Sequence, residues 1–303
     1  MTQALSRIET ILAESGLETG FAAVNVETGE TIAVNGSALF PTASVFKVPV
    51  MVEVYAQARA GRFAITDRLV MTEADKTIGS GVIHSLLDGL QPTIRDLMML
   101  MITISDNTAT DMLVGLVGGA NVTARLRALG LRDIHVGLKC HELFLHGWNL
   151  PKDGSVGYAQ VKAAAKAMPM DFASGAFARD GSNNTSSALD MARLMVLIAT
   201  NQAGPAADCA DMIAIMEHQH FQDRVPRFLP SGSVANKTGS LRGLRNDAGL
   251  IRRSPGHTIA YALFTFDDTE MPHGNSRQLV EANVRIGSVM GEVGQVLWEE
   301  LLF

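Results

Sequence analysis

Ser44-Val45-Phe46-Lys47 places a hydroxyl and an amine three residues apart where an apolar helical run begins. On a helix that spacing turns both side chains to one face, within reach of each other. A serine hydroxyl is a poor nucleophile until a neighbour takes its proton, and a neutral amine can do so. A helix N-terminus also surrounds the serine oxygen with unpaired backbone N–H groups. Phe40-Pro41-Thr42-Ala43 reads as a chain reversal before the helix, and Pro49 falls near its first turn, where a missing N–H costs least. A Ser and a Lys at this spacing also recur by chance, so the pair alone carries little.

Two further runs have matching chemistry. Ser105-Asp106-Asn107 interrupts the apolar Leu97 to Ile104 and precedes a helix starting near Thr108. All three types suit a helix cap; equally, a hydroxyl for proton relay and an amide to orient a substrate suit the wall of a reaction site. Lys237-Thr238-Gly239 ends the strand-like Val234-Ala235-Asn236. A lysine there is usually a solvated edge charge. Yet Lys and Thr followed by Gly and Ser can bind a carboxylate while the backbone stays open to close approach. Lys237 near Lys47 would also depress the proton affinity of the Lys47 amine by like-charge repulsion. Other motifs are weaker. His218-Gln219-His220 lacks a third ligand at helix or strand spacing, and Gly239-Ser240-Leu241-Arg242-Gly243 has its serine misplaced for a nucleophile elbow. No cofactor and no metal is expected.

The elements that must position these residues follow from periodicity. Met1 to Gly16 reads as an amphipathic helix, and Phe21 to Glu27 with Thr31 to Asn35 as a hairpin around Thr28-Gly29. Helical patterns then dominate: Val45 to Arg62, Ile94 to Leu116, Val122 to Leu129, Tyr158 to Met168 and Ala188 to Asn201. Thr93 and Asn121 are the predicted N-caps, and Gly130 and Gly204 the stops. Strands return at Val234 to Thr238, Ala248 to Arg252 and Ile259 to Phe266, before a helix over Arg277 to Leu302. This order predicts an α/β (α+β) protein: one antiparallel sheet built from both termini and flanked by helices, plus an all-helical subdomain. The predicted boundaries are 1–42 with 203–303, and 43–202 for the helical part, which includes an irregular loop over 140–184.

Composition narrows the function classes. Of 303 residues, 47% are apolar and 18% charged, the profile of a folded globular chain. A net charge of -6 argues against gripping nucleic acid or an anionic membrane. Two cysteines, Cys140 and Cys209, are too few for a disulfide scaffold. The N-terminus has no charged region followed by an apolar core, so a cytoplasmic protein is expected of the chain as it stands; a periplasmic or secreted protein with its signal removed would read the same. The expected partner is a small molecule and the expected state a monomer.

Together, in this order, the three runs resemble the signature of the serine β-lactamase and penicillin-binding protein superfamily, and within it the class A β-lactamase-like serine hydrolases. Gly79-Ser80-Gly81-Val82, Leu87-Asp88-Gly89, Gly118-Gly119, Asn184-Thr185-Ser186-Ser187 and Asn246-Asp247-Ala248-Gly249 extend the likeness. The resemblance implies a β-lactamase/transpeptidase-like fold, with Ser44 as acylated nucleophile and Lys47 as its base or proton relay. It implies that Ser105 passes a proton to the leaving nitrogen and that Asn107 holds the substrate amide. Lys237, Thr238, Gly239 and Ser240 would bind the substrate carboxylate, with Arg242 or Arg245 adding charge. The backbone N–H groups of Ser44 and Ser240 would form the oxyanion hole. The family's Glu-x-x-Leu-Asn deacylation loop has its nearest match in Glu142-Leu143-Phe144-Leu145-His146, with His146 in place of Asn. The family's optional disulfide is not expected of these cysteines. The implied activity is β-lactam hydrolysis through an acyl-enzyme. The alternatives are a D-alanyl carboxypeptidase or esterase, a penicillin-binding protein with slow or absent deacylation, and a binder or sensor.

Overall fold

The computed structural model describes residues 2–267, 269 and 277–300, and two compact units arise from this chain order. One takes the chain up to Val45 and resumes at Ser186; the other is Phe46–Thr185. In chain order the helices and strands are α1 Thr2–Glu14, β1 Glu18–Asn25, β2 Thr31–Val34, β3 Leu39–Pro41, α2 Lys47–Arg59, α3 Ile94–Thr103, α4 Asn107–Val117, α5 Gly119–Ala128, α6 Cys140–Gly147, α7 Tyr158–Ala167, β4 Thr185–Ser187, α8 Ala188–Ala199, α9 Ala206–Glu217, β5 Val234–Leu241, β6 Leu244–Ser254, β7 His257–Phe266 and α10 Arg277–Glu300.

In the first unit an antiparallel five-stranded sheet runs β2-β1-β7-β6-β5, so strands from both ends of the sequence share one ladder. Phe21 pairs with Leu263, and Lys237 with Ala248. Alternation sorts the side chains. Phe21, Ala23, Ile259, Tyr261 and Leu263 join Ile8, Leu12, Met290 and Leu297 of α1 and α10 in one core. The intervening Ala22, Ala260, Ala262 and Phe264 are also buried, and α8 packs against β1, β6 and β7. Burying each large side chain contributes roughly 1.5–3 kcal/mol. This packing places α8 with the sheet, whereas the sequence reading counts it with the helical part and cuts at 202.

In the second unit α2 is buried on all sides and carries Val48, Val50, Met51, Val52 and Val54 into the packing of α3, α4 and α5. Its buried Glu53 is bonded to Gln57 Nε2 at 2.7 Å and paired with Arg125. The helical run from Ile94 is cut in two at Ser105. Thr93 caps α3 reciprocally with Asp96, each backbone N–H reaching the other side chain at 3.0 Å. The start of α5 falls earlier than the predicted cap Asn121: Gly118 with φ +79° precedes the helix, and Asn121 lies inside the first turn. Within the stretch read as irregular, 140–147 forms α6; α9 is likewise an addition to the sequence reading. The last two residues of the predicted C-terminal helix, 301–302, lie outside the described residues. Among the described residues no helix is long and apolar enough to cross a membrane. Both cysteines are buried free thiols.

Candidate active site

Ser44 is half-buried on a short 3-10 turn, Ala43–Phe46, that runs directly into α2. Ala43 takes φ +44°, a left-handed conformation costly for a residue with a side chain. The turn is closed by Val45 N–H on the Thr42 carbonyl at 3.1 Å. The sheet's edge strand β5 packs against it. A β-carbon on Gly239 would stand 2.6 Å from Thr42 O and 3.0 Å from Ser44 N, so only glycine lets the strand backbone come this close.

Lys237 and Thr238 on β5 are buried, contrary to a solvated edge lysine, while Ser240 is exposed. Lys237 Nζ donates to the Thr238 carbonyl at 2.7 Å. Beneath the strand lies Arg224, a buried guanidinium that donates to Gly239 O at 2.7 Å and bonds Asn246 O and Ser240 Oγ. Burial lowers its pKa, with Asp247 and Asp223 opposing. Asn246, opposite Gly239 in the ladder, donates to the Pro41 carbonyl at 2.9 Å and accepts from Thr265 N–H at 3.2 Å. The carboxyl of Asp247 is pushed up to about 6 by burial.

Of the two predicted arginines, Arg245 is engaged away from Ser240. Arg245 donates through Nε to Asn283 Oδ1 at 2.9 Å, and through Nη1 to Leu241 O at 2.8 Å and Leu244 O at 2.7 Å. That engagement with α10 and the β5–β6 turn ties it down as a structural clamp; burial brings its pKa to about 10. Arg242 sits half-exposed on the turn itself. Arg224 is a cation bonded to Ser240.

In the helical unit, Lys47 is the first residue of α2 and is fully buried. Its Nζ donates to Ser105 O at 2.8 Å, Ser105 Oγ at 3.1 Å and Asn107 Oδ1 at 2.8 Å. Ser105 reaches it by adopting φ +58° at the α3–α4 corner, which turns carbonyl and hydroxyl to the same amine. Burial lowers the Lys47 pKa, with Cys140, Asp111 and Asp106 acting the other way. The sequence reading looks to Lys237 for that effect; desolvation supplies it.

Asp106 fixes the corner. It caps α4 through Ala109 N–H at 2.9 Å and accepts Val82 N–H at 2.7 Å and Ile83 N–H at 2.9 Å. Gly81, φ +102°, has room for no β-carbon there: one would lie 2.2 Å from the Asp106 carboxyl. Asn107 Nδ2 donates to Ile78 O at 2.8 Å, and Asn107 N–H to Ser80 O at 3.0 Å, so the Ile78–Ile83 segment is laced to the Ser105 corner.

Glu142 lies on the first turn of α6, exposed, its carboxylate accepting Lys139 N–H at 2.7 Å. It is a capping group of its own helix; the hydrogen bonds of Lys47 all go to Ser105 and Asn107. His146 follows one turn later, its pKa lowered by burial and by Lys152, with Glu142 opposing. Two buried residues escaped the sequence reading. Asp111, one turn after Asn107 on α4, interrupts an apolar run and so left a signal. Arg224 lies where no periodicity marks it.

An amine held against a serine and an asparagine at a helix corner, with a second serine turn seated on a Lys-Thr-Gly strand, places the protein among serine hydrolases of the β-lactamase/transpeptidase fold. The Beta-lactamase enzyme family matches residues 3–301, and the chain belongs to it. A solved β-lactamase from Sphaerobacter thermophilus superimposes with a TM-score of 0.77 at 29% identity, covering 98% of this chain and 95% of that one. The structure of PBP-A aligns with a TM-score of 0.76 over 99% of this chain and 96% of that one, at 21% identity, a likeness of fold. The β-lactamase regulatory protein BlaB of Streptomyces cacaoi is 23% identical over 280 residues, 86% of this chain and 88% of that protein.

Proposed function

We propose that the protein is a serine β-lactamase working through an acyl-enzyme on Ser44. The observation that carries the reading is Lys47, a buried amine bonded to both Ser105 and Asn107. In acylation, Ser44 Oγ adds to the lactam carbonyl and its proton passes to the Lys47 amine. The oxyanion is met by the N–H groups of Ser44 and Ser240. Ser105 delivers a proton to the nitrogen as the C–N bond breaks and is reprotonated by Lys47, which returns to the neutral amine. Lys237, Thr238 and Ser240 take the substrate carboxylate, with Arg224 lending its charge through Ser240. One preorganised oxyanion donor is worth roughly 3–4 kcal/mol of barrier. In deacylation, Glu142 takes a proton from the water whose oxygen adds to the ester carbon, and as the C–Oγ bond breaks the Ser44 oxygen leaves with that proton returned to it, restoring the free enzyme. The substrate is a small molecule with a strained or activated amide and a carboxylate, and the working unit is a monomer.

A second reading has its own support: the Glu142 carboxylate caps α6, which favours a long-lived acyl-enzyme, as in a penicillin-binding protein or a sensor. Intact-mass spectrometry and absorbance during incubation with a chromogenic cephalosporin separate the two. Steady turnover supports the hydrolase, a persisting adduct supports the trap, and cleavage of esters without either overturns the β-lactam assignment.

A further inference from the structure

Gly79 leaves a notch in the wall beside Asn107. It is exposed and takes φ +95°, and a β-carbon built on it would stand 2.7 Å from Asn107 Nδ2 and 3.3 Å from Cζ of the Phe144 ring. Any other residue would plug the space between that amide nitrogen and that ring. Asn107 Nδ2 gives one of its two hydrogens to the Ile78 carbonyl at 2.8 Å, while Asn107 Oδ1 accepts from Lys47. The second hydrogen is carried by the nitrogen that borders the notch.

The opposite wall is aromatic. Phe144 lies on α6, and Trp148 follows one turn later, with ring centroids 5.8 Å apart and planes tilted by 44°. Trp148 Nε1 donates to the Met168 carbonyl at 3.0 Å, which fixes the indole against Phe144. Both side chains are half-buried, so part of their aromatic surface stays open. A ring laid on such a surface gains edge or offset stacking in addition to the area it buries.

We propose that Phe144, backed by Trp148, is a specificity-determining residue that selects substrates whose acyl group carries an aromatic ring, reached through the notch at Gly79. The proposal rests on the acyl-enzyme reading above. An acyl amide whose carbonyl accepts the second Asn107 hydrogen sets its next carbon in the space a β-carbon at position 79 would fill. A phenyl group on that carbon lies against Phe144. An acetyl group ends in the notch and leaves most of the aromatic surface wet.

The test uses two penicillins with the same amide: benzylpenicillin, and 6-acetamidopenicillanic acid, which lacks only the phenyl ring. Second-order acylation constants are measured for wild type, Phe144→Leu and Phe144→Ala by competition with a fluorescent penicillin, a readout that serves whether the adduct persists or turns over. Wild type is expected to favour benzylpenicillin by about 10-fold or more. Phe144→Leu is expected to cut that preference by about 3–10-fold while the acetyl compound keeps its wild-type constant, and Phe144→Ala to cut it further. A wild-type ratio near one overturns the proposal, as does a ratio unchanged in Phe144→Leu. So does a parallel fall for both penicillins together with melting temperature, the mark of a packing role alone. Should Phe144→Ala not fold, the ratios in wild type and Phe144→Leu decide by themselves. A wild type that reacts with neither penicillin defeats the acyl-enzyme reading instead, and this inference with it.

Discussion

Gly239 faces Ser44 so closely that a β-carbon at position 239 would stand 3.0 Å from the Ser44 nitrogen and 2.6 Å from the carbonyl oxygen of Thr42. Both contacts are to backbone, which cannot swing away as a side chain can. The glycine therefore sets the distance between the Ser44 N–H and the strand that presents Ser240.

Gly239→Ala pushes that strand outward and, with Ser240 N–H as the proposed oxyanion donor, misplaces it. Acylation of Ser44 is expected to slow by about 10²–10³-fold. Stopped-flow burst kinetics with a chromogenic substrate measures this; wild-type acylation in the alanine variant would show that the contact plays no part in the reaction.

As the proposed base, Lys47 must lose its proton to accept one from Ser44. Burial holds its pKa below the ordinary 10.5, so acylation rises with pH through the lowered value and levels off above it. Lys47→Arg, whose guanidinium stays charged, should acylate poorly at every pH. A flat wild-type profile, or an active arginine variant, argues against the amine as base.

Asp247 gives a stability signature of opposite sign to a surface carboxylate. Its folded pKa of about 6 lies above the ordinary 3.8, so the folded state binds the proton more tightly. That contribution is complete below about pH 3.8 and is lost as pH rises to about 6. Asp247→Asn mimics the neutral form, so its stability relative to wild type should climb across this window by on the order of 3 kcal/mol. Urea unfolding of both proteins at several pH values tests it; a constant difference would place the titration elsewhere.

Much of this was readable in the sequence because the key spacings are local. Ser44 to Lys47 and Ser105 to Asn107 each lie within one turn of chain, and the sheet strands and their flanking helices announce themselves by period. What distance in sequence separates stayed hidden. Arg224 reaches Ser240, and Arg245 turns to Asn283, through contacts no local pattern records. The burial of Lys237 follows from strand packing, and the Glu142 cap from the path of a loop whose helix α6 is only 8 residues long. Asp111 alone left a trace, a charge in an apolar helix.

Glu142→Gln separates the two fates of the adduct. If Glu142 activates water, turnover falls and a stable adduct appears in its place. If the capping role is its whole role, adduct lifetime stays at the wild-type value while the melting temperature drops by a few degrees, the loss expected of about 0.5–1 kcal/mol at a helix terminus. Intact mass and thermal melting together decide.

The central claim is covalent chemistry at Ser44. Peptide mapping of the protein quenched during reaction with a penicillin measures it directly. The expected result is a penicilloyl mass on the peptide bearing Ser44 and none in Ser44→Ala. An adduct that persists in Ser44→Ala, or its absence from wild type together with no turnover, would contradict it.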